Sequence, residues 1–178
     1  DVLKAMNIQI IKKAGLEAAD PLGTISCMCE EKGMDVAVIS GDRDTLQLAT
    51  EHVKIRIPKT KQGKTEIEDY LAKDVEERYG VTPKEFIDVK ALMGDTSDNI
   101  PGVPGVGEKT ATKIIQEYKT IENAYAHADE IRPPRASRNL KEYWDQAKMS
   151  KALATIELHA DIDFDVEKAR CGNLYTEE

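Results

Sequence analysis

From residue 100 the chain reads Ile-Pro-Gly-Val-Pro-Gly-Val-Gly-Glu-Lys-Thr-Ala. This stretch constrains the fold more than any other, because no helix or strand can run through it. Gly102, Gly105 and Gly107 free the backbone to turn sharply and bring amide N–H groups close to an oxyanion. A helix starting at Gly107 presents its unpaired N–H groups to the same place. Lys109 and Lys113 are spaced i and i+4, and with Thr110 they place polar and cationic groups on its first turns. The result is a hairpin between two helices, suited to gripping a phosphate backbone without reading bases. A plain helix–helix turn is the alternative. A P-loop is excluded, because Glu108 separates Gly107 from the lysine and a helix with an acidic turn precedes the glycines where a strand is required.

The flanking texture divides the chain. Before residue 72 there are short β-branched runs, Ile8–Ile11, Val36–Ile39 and Val53–Ile57, with a helix-length segment Leu22–Lys32 between the first two and Gly33 closing it. Strand, helix, strand at this spacing predicts a βαβ unit and a parallel sheet. Lys59–Lys64 reads as a basic, Gly-containing turn, a loop or a hairpin tip. From about Ala72 helices follow one another: 72–79, 83–93, 107–118, about 121–128, then 140–153 after an exposed connector, Arg132–Arg138, that contains Pro133-Pro134. The tail 162–178 has no firm pattern. The expected organisation is an α/β part, residues 1–71, and a helical part, 72–178, whose helix-hairpin-helix spans about 83–118.

Acidic residues gather where the strands end, Glu17 and Asp20 after the first, Asp42 and Asp44 after the second. In open parallel sheets the ligand crevice lies at that edge. Carboxylates converging there repel one another unless cations sit among them, and Mg²⁺ takes oxygen ligands. Helix caps or solvated loops are the competing explanation for either pair. Asp95 and Asp98 follow a helix C-terminus, where the macrodipole disfavours anions, so capping accounts for them poorly and a nearby cation accounts for them well.

The chain has 178 residues and a net charge of −8, which alone argues against a polyanionic partner. Setting aside the six carboxylates just named leaves −2, and cations cluster at Lys59, Lys61 and Lys64 and at Arg132, Arg135 and Arg138. The latter could touch phosphate or belong to a solvated loop. No apolar run is long enough to cross a bilayer, so a cytoplasmic protein is expected; a monomer is expected as well. Cys27, Cys29 and Cys171 offer neither a disulfide framework nor a zinc site.

Gly41-Asp42-Arg43-Asp44-Thr45-Leu46-Gln47-Leu48, then Leu92-Met93-Gly94-Asp95-Thr96-Ser97-Asp98-Asn99-Ile100-Pro101-Gly102-Val103, then Gly105-Val106-Gly107-Glu108-Lys109-Thr110-Ala111 together resemble the 5′-3′ exonuclease and flap endonuclease family. Within it, the nuclease domain at the front of bacterial DNA polymerase I is the best fit. The resemblance implies a PIN-like parallel α/β core, incomplete at its N-terminus, followed by a helical subdomain with a helix-hairpin-helix. It also implies a phosphodiesterase with two Mg²⁺ (or Mn²⁺) ions that removes 5′ flaps and RNA primers from branched or nicked duplex DNA, covalently linked to a polymerase domain. Glu17 and Asp20 would belong to the first metal group, and Asp42, Asp44, Asp95 and Asp98 to the second. Gly102, Gly105, Gly107, Lys109, Thr110 and Lys113 would hold DNA, with a K⁺ ion at the hairpin.

Two departures qualify this. The family's Glu-Ala-Asp-Asp is here Glu17-Ala18-Ala19-Asp20-Pro21, so Ala19 stands where a carboxylate is expected and Asp20 has the character of a cap before Pro21. The chain also begins after the family's first acidic strand and basic arch. Weak or absent cleavage is therefore expected. A non-catalytic, structure-specific DNA-binding module is the alternative reading, and an unrelated α/β phosphatase or nucleotide-binding domain is a third.

Overall fold

The computed structural model describes residues 2–61 and 63–172; the end of the patternless tail, 173–178, lies outside the described residues. Three strands form one sheet in the order β1 (Val36–Ile39), β2 (Val53–Lys61), β3 (Lys64–Tyr70). β1 and β2 run parallel, with Val36 opposite Val53 and Ile39 opposite Arg56. Val53, Ile55 and Ile57 are buried, while Lys54 and Arg56 between them point to the other face, the period-two pattern of a strand with one covered side.

The expected βαβ unit differs in its first member. Ile8–Ile11 forms no strand; Ile8 N–H instead donates to Leu3 O, closing the short helix α1 (Val2–Ala5), and Ile10 is exposed. A strand exists only through ladder hydrogen bonds, and β-branched residues without a partner chain beside them stay irregular. The parallel pair is β1–β2, joined by a six-residue 3₁₀ turn, Arg43–Leu48, rather than by a long helix.

β3, not apparent in the sequence, makes the sheet mixed: it pairs antiparallel with β2 in a hairpin, so that much of the turn expected at Lys59–Lys64 is strand. Its residues are mostly exposed and charged, so it carries no apolar alternation. Backbone pairing and cross-strand ion pairs hold it, Arg56 Nε to Asp69 Oδ1 at 2.8 Å and Lys59 Nζ to Glu68 Oε2 at 2.6 Å.

Helix α2 (Ala19–Glu31) lies against β1 and the 3₁₀ turn. Helices α3 (Ala72–Tyr79), α4 (Pro83–Met93), α5 (Glu108–Tyr118), α6 (Ile121–Ala126), α7 (Pro134–Glu142) and α8 (Trp144–Ala154) follow. α4 starts on a capping box, with Thr82 Oγ1 accepting from Glu85 N–H and Glu85 Oε2 accepting from Thr82 N–H, and with Pro83 in its first turn. Two apolar clusters form. One gathers Val38, Leu46, Val53, Ile55, Ile57, Tyr70 and Val75 under the sheet; the other gathers Leu92, Val103, Val106, Ile115, Ile121 and Leu140 among the helices. Tyr79 and Phe86, edge to face at 5.4 Å, pack against both.

The connector expected at Arg132–Arg138 is instead mostly helix: Pro134 opens α7, whose Ala136 and Leu140 are buried. A double proline read as a break is a helix start, because the residue at N1 needs no N–H. The single helix expected at 140–153 is interrupted at Tyr143, between α7 and α8.

Candidate functional site

The site forms where the 3₁₀ turn after β1 meets the end of α4. Asp42 precedes the turn with extended backbone, and its Oδ1 accepts from Asp44 N–H at 2.9 Å, an N-cap that fixes the direction of the chain. Asp44, one residue into the turn, projects toward α4. α4 ends at Gly94, and the following loop is clamped by a two-hydrogen-bond bridge, Asp95 N–H to Ile100 O and Ile100 N–H to Asp95 O, each 2.8 Å. Asn99 takes a left-handed conformation within it, φ 56°. This tight loop holds Asp95 and Asp98 opposite Asp44, and one carboxylate oxygen from each lies within 4.8 Å of the others.

Between the three carboxylates sits the ammonium of Lys90, a residue the sequence reading passed over. Its Nζ pairs with Asp44 Oδ2, lies 3.1 Å from Asp95 Oδ2 and lies 3.0 Å from Asp98 Oδ2. Lys90 is only 4% exposed. A signal was present: a lone lysine inside the apolar run Val89-Lys90-Ala91-Leu92-Met93, on a helix followed by two aspartates, must have a partner if it is buried. Burial would lower the Lys90 pKa, but hydrogen bonds to Asp44 and Asp98 outweigh it and hold the ammonium charged beyond the usual lysine range. Burial raises Asp44, assisted by repulsion from Asp42 and Asp98 and opposed by Lys90. Asp95 is held down at about 2, first by hydrogen bonds from Ser97, whose N–H lies 2.8 Å from Oδ1, and then by Lys90. Three carboxylates around one buried cation form a hard-oxygen, anionic pocket.

Of the six acidic residues singled out in the sequence, the structure brings together Asp44, Asp95 and Asp98. Asp42 serves as the cap described above. Asp20, in the first turn of α2, accepts from two backbone N–H groups, Glu17 at 3.2 Å and Glu157 at 3.0 Å, and Glu17 is exposed nearby. Ala19 is the first residue of α2 and packs against the sheet core.

The hairpin leads directly from this loop into α5. Its glycines divide in role. Gly102, φ 62°, is buried against the end of α4, and a Cβ on it would lie 2.3 Å from Gly94 N. Its N–H donates to Ser150 Oγ at 3.0 Å and its carbonyl accepts from Gln146 Nε2 at 2.7 Å. It therefore faces α8, not solvent, and joins the acidic loop to the helical core. Gly105, φ 75°, and Gly107, the N-cap of α5, are exposed, as are Lys109 and Lys113, and Thr110 is half-buried. A cavity of about 330 Å³ runs from Asp44, Lys90 and Asp95 past Arg43 and Arg78 to Glu108 and Thr112 on α5, over a floor that includes Tyr79, Phe86 and Met93. The acidic pocket and the first turns of the hairpin helix thus open on one space.

The chain is 44% identical over 167 residues to DNA polymerase I of Bacillus caldotenax, covering 94% of this chain but only 19% of that polymerase. Bacteriophage T5 5′-exonuclease with bound zinc ions superposes with a TM-score of 0.65 at 26% identity, over 79% of this chain and 50% of the phage protein. The T5 flap endonuclease in a pseudo-enzyme–product complex with DNA and metal ions gives 0.63 at 25% identity, over 82% and 51% of the two chains. Residues 1–80 match the 5′-3′ exonuclease N-terminal resolvase-like domain, and residues 81–177 match the 5′-3′ exonuclease C-terminal SAM fold. The chain belongs to the 5′-3′ exonuclease family.

Proposed function

We propose that this chain is the portion of a bacterial 5′ nuclease that holds flapped or nicked duplex DNA and presents its 5′ strand, or an RNA primer, to divalent metal for phosphodiester hydrolysis. The observation that carries the reading is the convergence of Asp44, Asp95 and Asp98, from two segments far apart in sequence, on a cation position that shares a cavity with the start of α5. An all-carboxylate donor set fits Mg²⁺ or Mn²⁺, and the trio already accommodates a positive charge, that of Lys90.

When bound, such ions polarise the scissile phosphate and lower the pKa of an attacking water. The protein's own groups do the rest. Asp44, Asp95 and Asp98 would be the ligands, with Asp42 holding the turn that aims Asp44. Lys90 neutralises the trio and, with metal bound, would supply a cation beside the phosphate. In the two-metal scheme Glu17 and Asp20 would supply the acidic group of the first metal. The exposed amides of Gly105 and Gly107, with Lys109, Thr110 and Lys113, hold the duplex backbone, and Gly102 positions the hairpin. A K⁺ ion at the hairpin belongs to the same reading; Gly102 and Pro104 carbonyls each already accept a side-chain amide. The organisation into residues 1–71 and 72–178, a cytoplasmic monomer and a covalently attached polymerase domain complete the proposal. No helix among the described residues is long and apolar enough to cross a membrane.

Because Ala19 occupies a carboxylate position in the family's motif, the chain is expected to bind flapped duplex well and cleave it slowly. Gel shift and flap cleavage in Mn²⁺ test this together. Binding with weak cleavage that Ala19→Asp raises at least tenfold supports the nuclease reading. Binding with no cleavage in either form favours the non-catalytic module, and failure to bind flapped duplex sinks the proposal.

A further inference from the structure

Between residues 101 and 154 cations are not evenly matched with carboxylates. Of the nine Lys and Arg side chains between residues 101 and 154, four are tied to acids: Lys119 to Glu85, Lys141 to Asp129, Lys148 to Asp145, and Lys151 to Asp88 and Glu122. Among the described residues the other five form no ion pair. They are Lys109 and Lys113 at the start of α5, and Arg132, Arg135 and Arg138 at the start of α7. All five are exposed. In a chain of net charge −8, these five cations without an ion pair, gathered at the start of α5 and on and just before α7, call for an anionic partner.

The two groups are fastened together. The Arg135 guanidinium lies over the hairpin at Gly105, where a Cβ would come within 2.8 Å of Nε and 3.1 Å of Cζ. Asn139, one turn further along α7, donates from Nδ2 to Pro104 O at 2.6 Å. The start of α7 is thus held against the hairpin, with Arg138 spaced i+3 from Arg135 on the same side of the helix. Ala136 and Leu140 fix the opposite face in the core.

We propose that the first turn of α7 is a second phosphate-binding element, in which Arg135 and Arg138, with Arg132 preceding them, grip the DNA backbone next to the phosphates held by the hairpin. The planar guanidinium makes paired hydrogen bonds to phosphate oxygens and reads no base, so the grip is independent of sequence. This inference rests on the reading of the hairpin as a DNA grip, and the test separates the two.

The measurement is fluorescence anisotropy of a fluorescein-labelled nicked duplex carrying a 5′ flap, titrated with the 178-residue chain across a KCl series without Mg²⁺ or Mn²⁺. Each phosphate that the protein ceases to neutralise reduces the slope of log K against log salt by about 0.9, so Arg135→Gln with Arg138→Gln lowers it by about 2. Arg135→Lys with Arg138→Lys keeps the slope. Lys109→Gln with Lys113→Gln tests the hairpin itself. Thermal melts check each fold, and Arg138→Glu, which alters a side chain that forms no ion pair among the described residues, serves if the Arg135 change loosens the hairpin. A reduced slope in the arginine and the hairpin variants supports the proposal. A reduced slope in the hairpin variant alone overturns it and leaves the hairpin reading standing. No binding by the unaltered chain overturns both.

Discussion

Lys90→Met removes one charge and little volume, and its effect follows from the geometry around Nζ. The ammonium is almost wholly buried and shared by Asp44, Asp95 and Asp98. Removing one partner of a buried ion pair costs about 3–5 kcal/mol. The repulsion released is of similar size: two carboxylate oxygens at the 4.8 Å limit of the trio repel by about 3 kcal/mol at an effective dielectric of about 20, and less where half-exposed Asp98 is involved. These figures describe the same loss and do not add. For a chain of this size, 3–5 kcal/mol lowers Tm by on the order of 10 °C. If the trio is the proposed metal site, Mn²⁺ would take the vacated position without displacing an ammonium, so at a hundredfold excess over its Kd it would return about 2.7 kcal/mol to the variant and less to the parent. Urea unfolding of both proteins, with and without Mn²⁺, gives the four free energies required. A variant within 1 kcal/mol of the parent, or an equal Mn²⁺ effect in both, refutes the assignment of Lys90 as the counter-ion of the trio.

Gly102→Ala places a methyl 2.3 Å from the Gly94 backbone at a φ of 62°, so a loss of about 3 kcal/mol or more is expected as a lower urea midpoint, and an unchanged midpoint contradicts the packing role. Lys151→Met leaves buried Asp88 with the Ile121 N–H as its only donor among the described residues. Burial already raises the Asp88 pKa against the pull of Lys151, and a carboxyl raised in the folded state loses stability as pH rises through its folded value. The variant should therefore match the parent near pH 4 and fall about 2–3 kcal/mol below it by pH 7, and a pH-independent difference would contradict this.

The helical half was legible because its signals are local. Thr82-Pro83 with Glu85, Gly94 and the Gly/Pro hairpin each mark a boundary through their own backbone preferences, and α4 and α5 lie where those marks put them. β3 was not legible, since its order comes from pairing with β2 and not from its own apolar pattern. Ile8–Ile11 fails in the opposite sense, having strand composition and no ladder. Asp44, Asp95 and Asp98 could be singled out because acids after a strand and after a helix C-terminus are poorly placed without a cation. That Gly102 faces α8, that Asp20 is taken up by backbone N–H groups, and that Lys90 supplies the cation all depend on tertiary neighbours such as Ser150, Gln146 and Glu157. Arg135 belongs with these, because its place over Gly105 requires α7 to fold back on the hairpin.

A crystal of this chain soaked in MnCl₂ and measured for anomalous scattering addresses the proposed metal site itself. The expected density is a manganese peak coordinated by carboxylate oxygens of Asp44, Asp95 and Asp98, with the Lys90 ammonium moved out from among them. Density showing Lys90 Nζ still between the three carboxylates at saturating manganese, and no peak beside them, would mean that the trio serves only to bury a lysine.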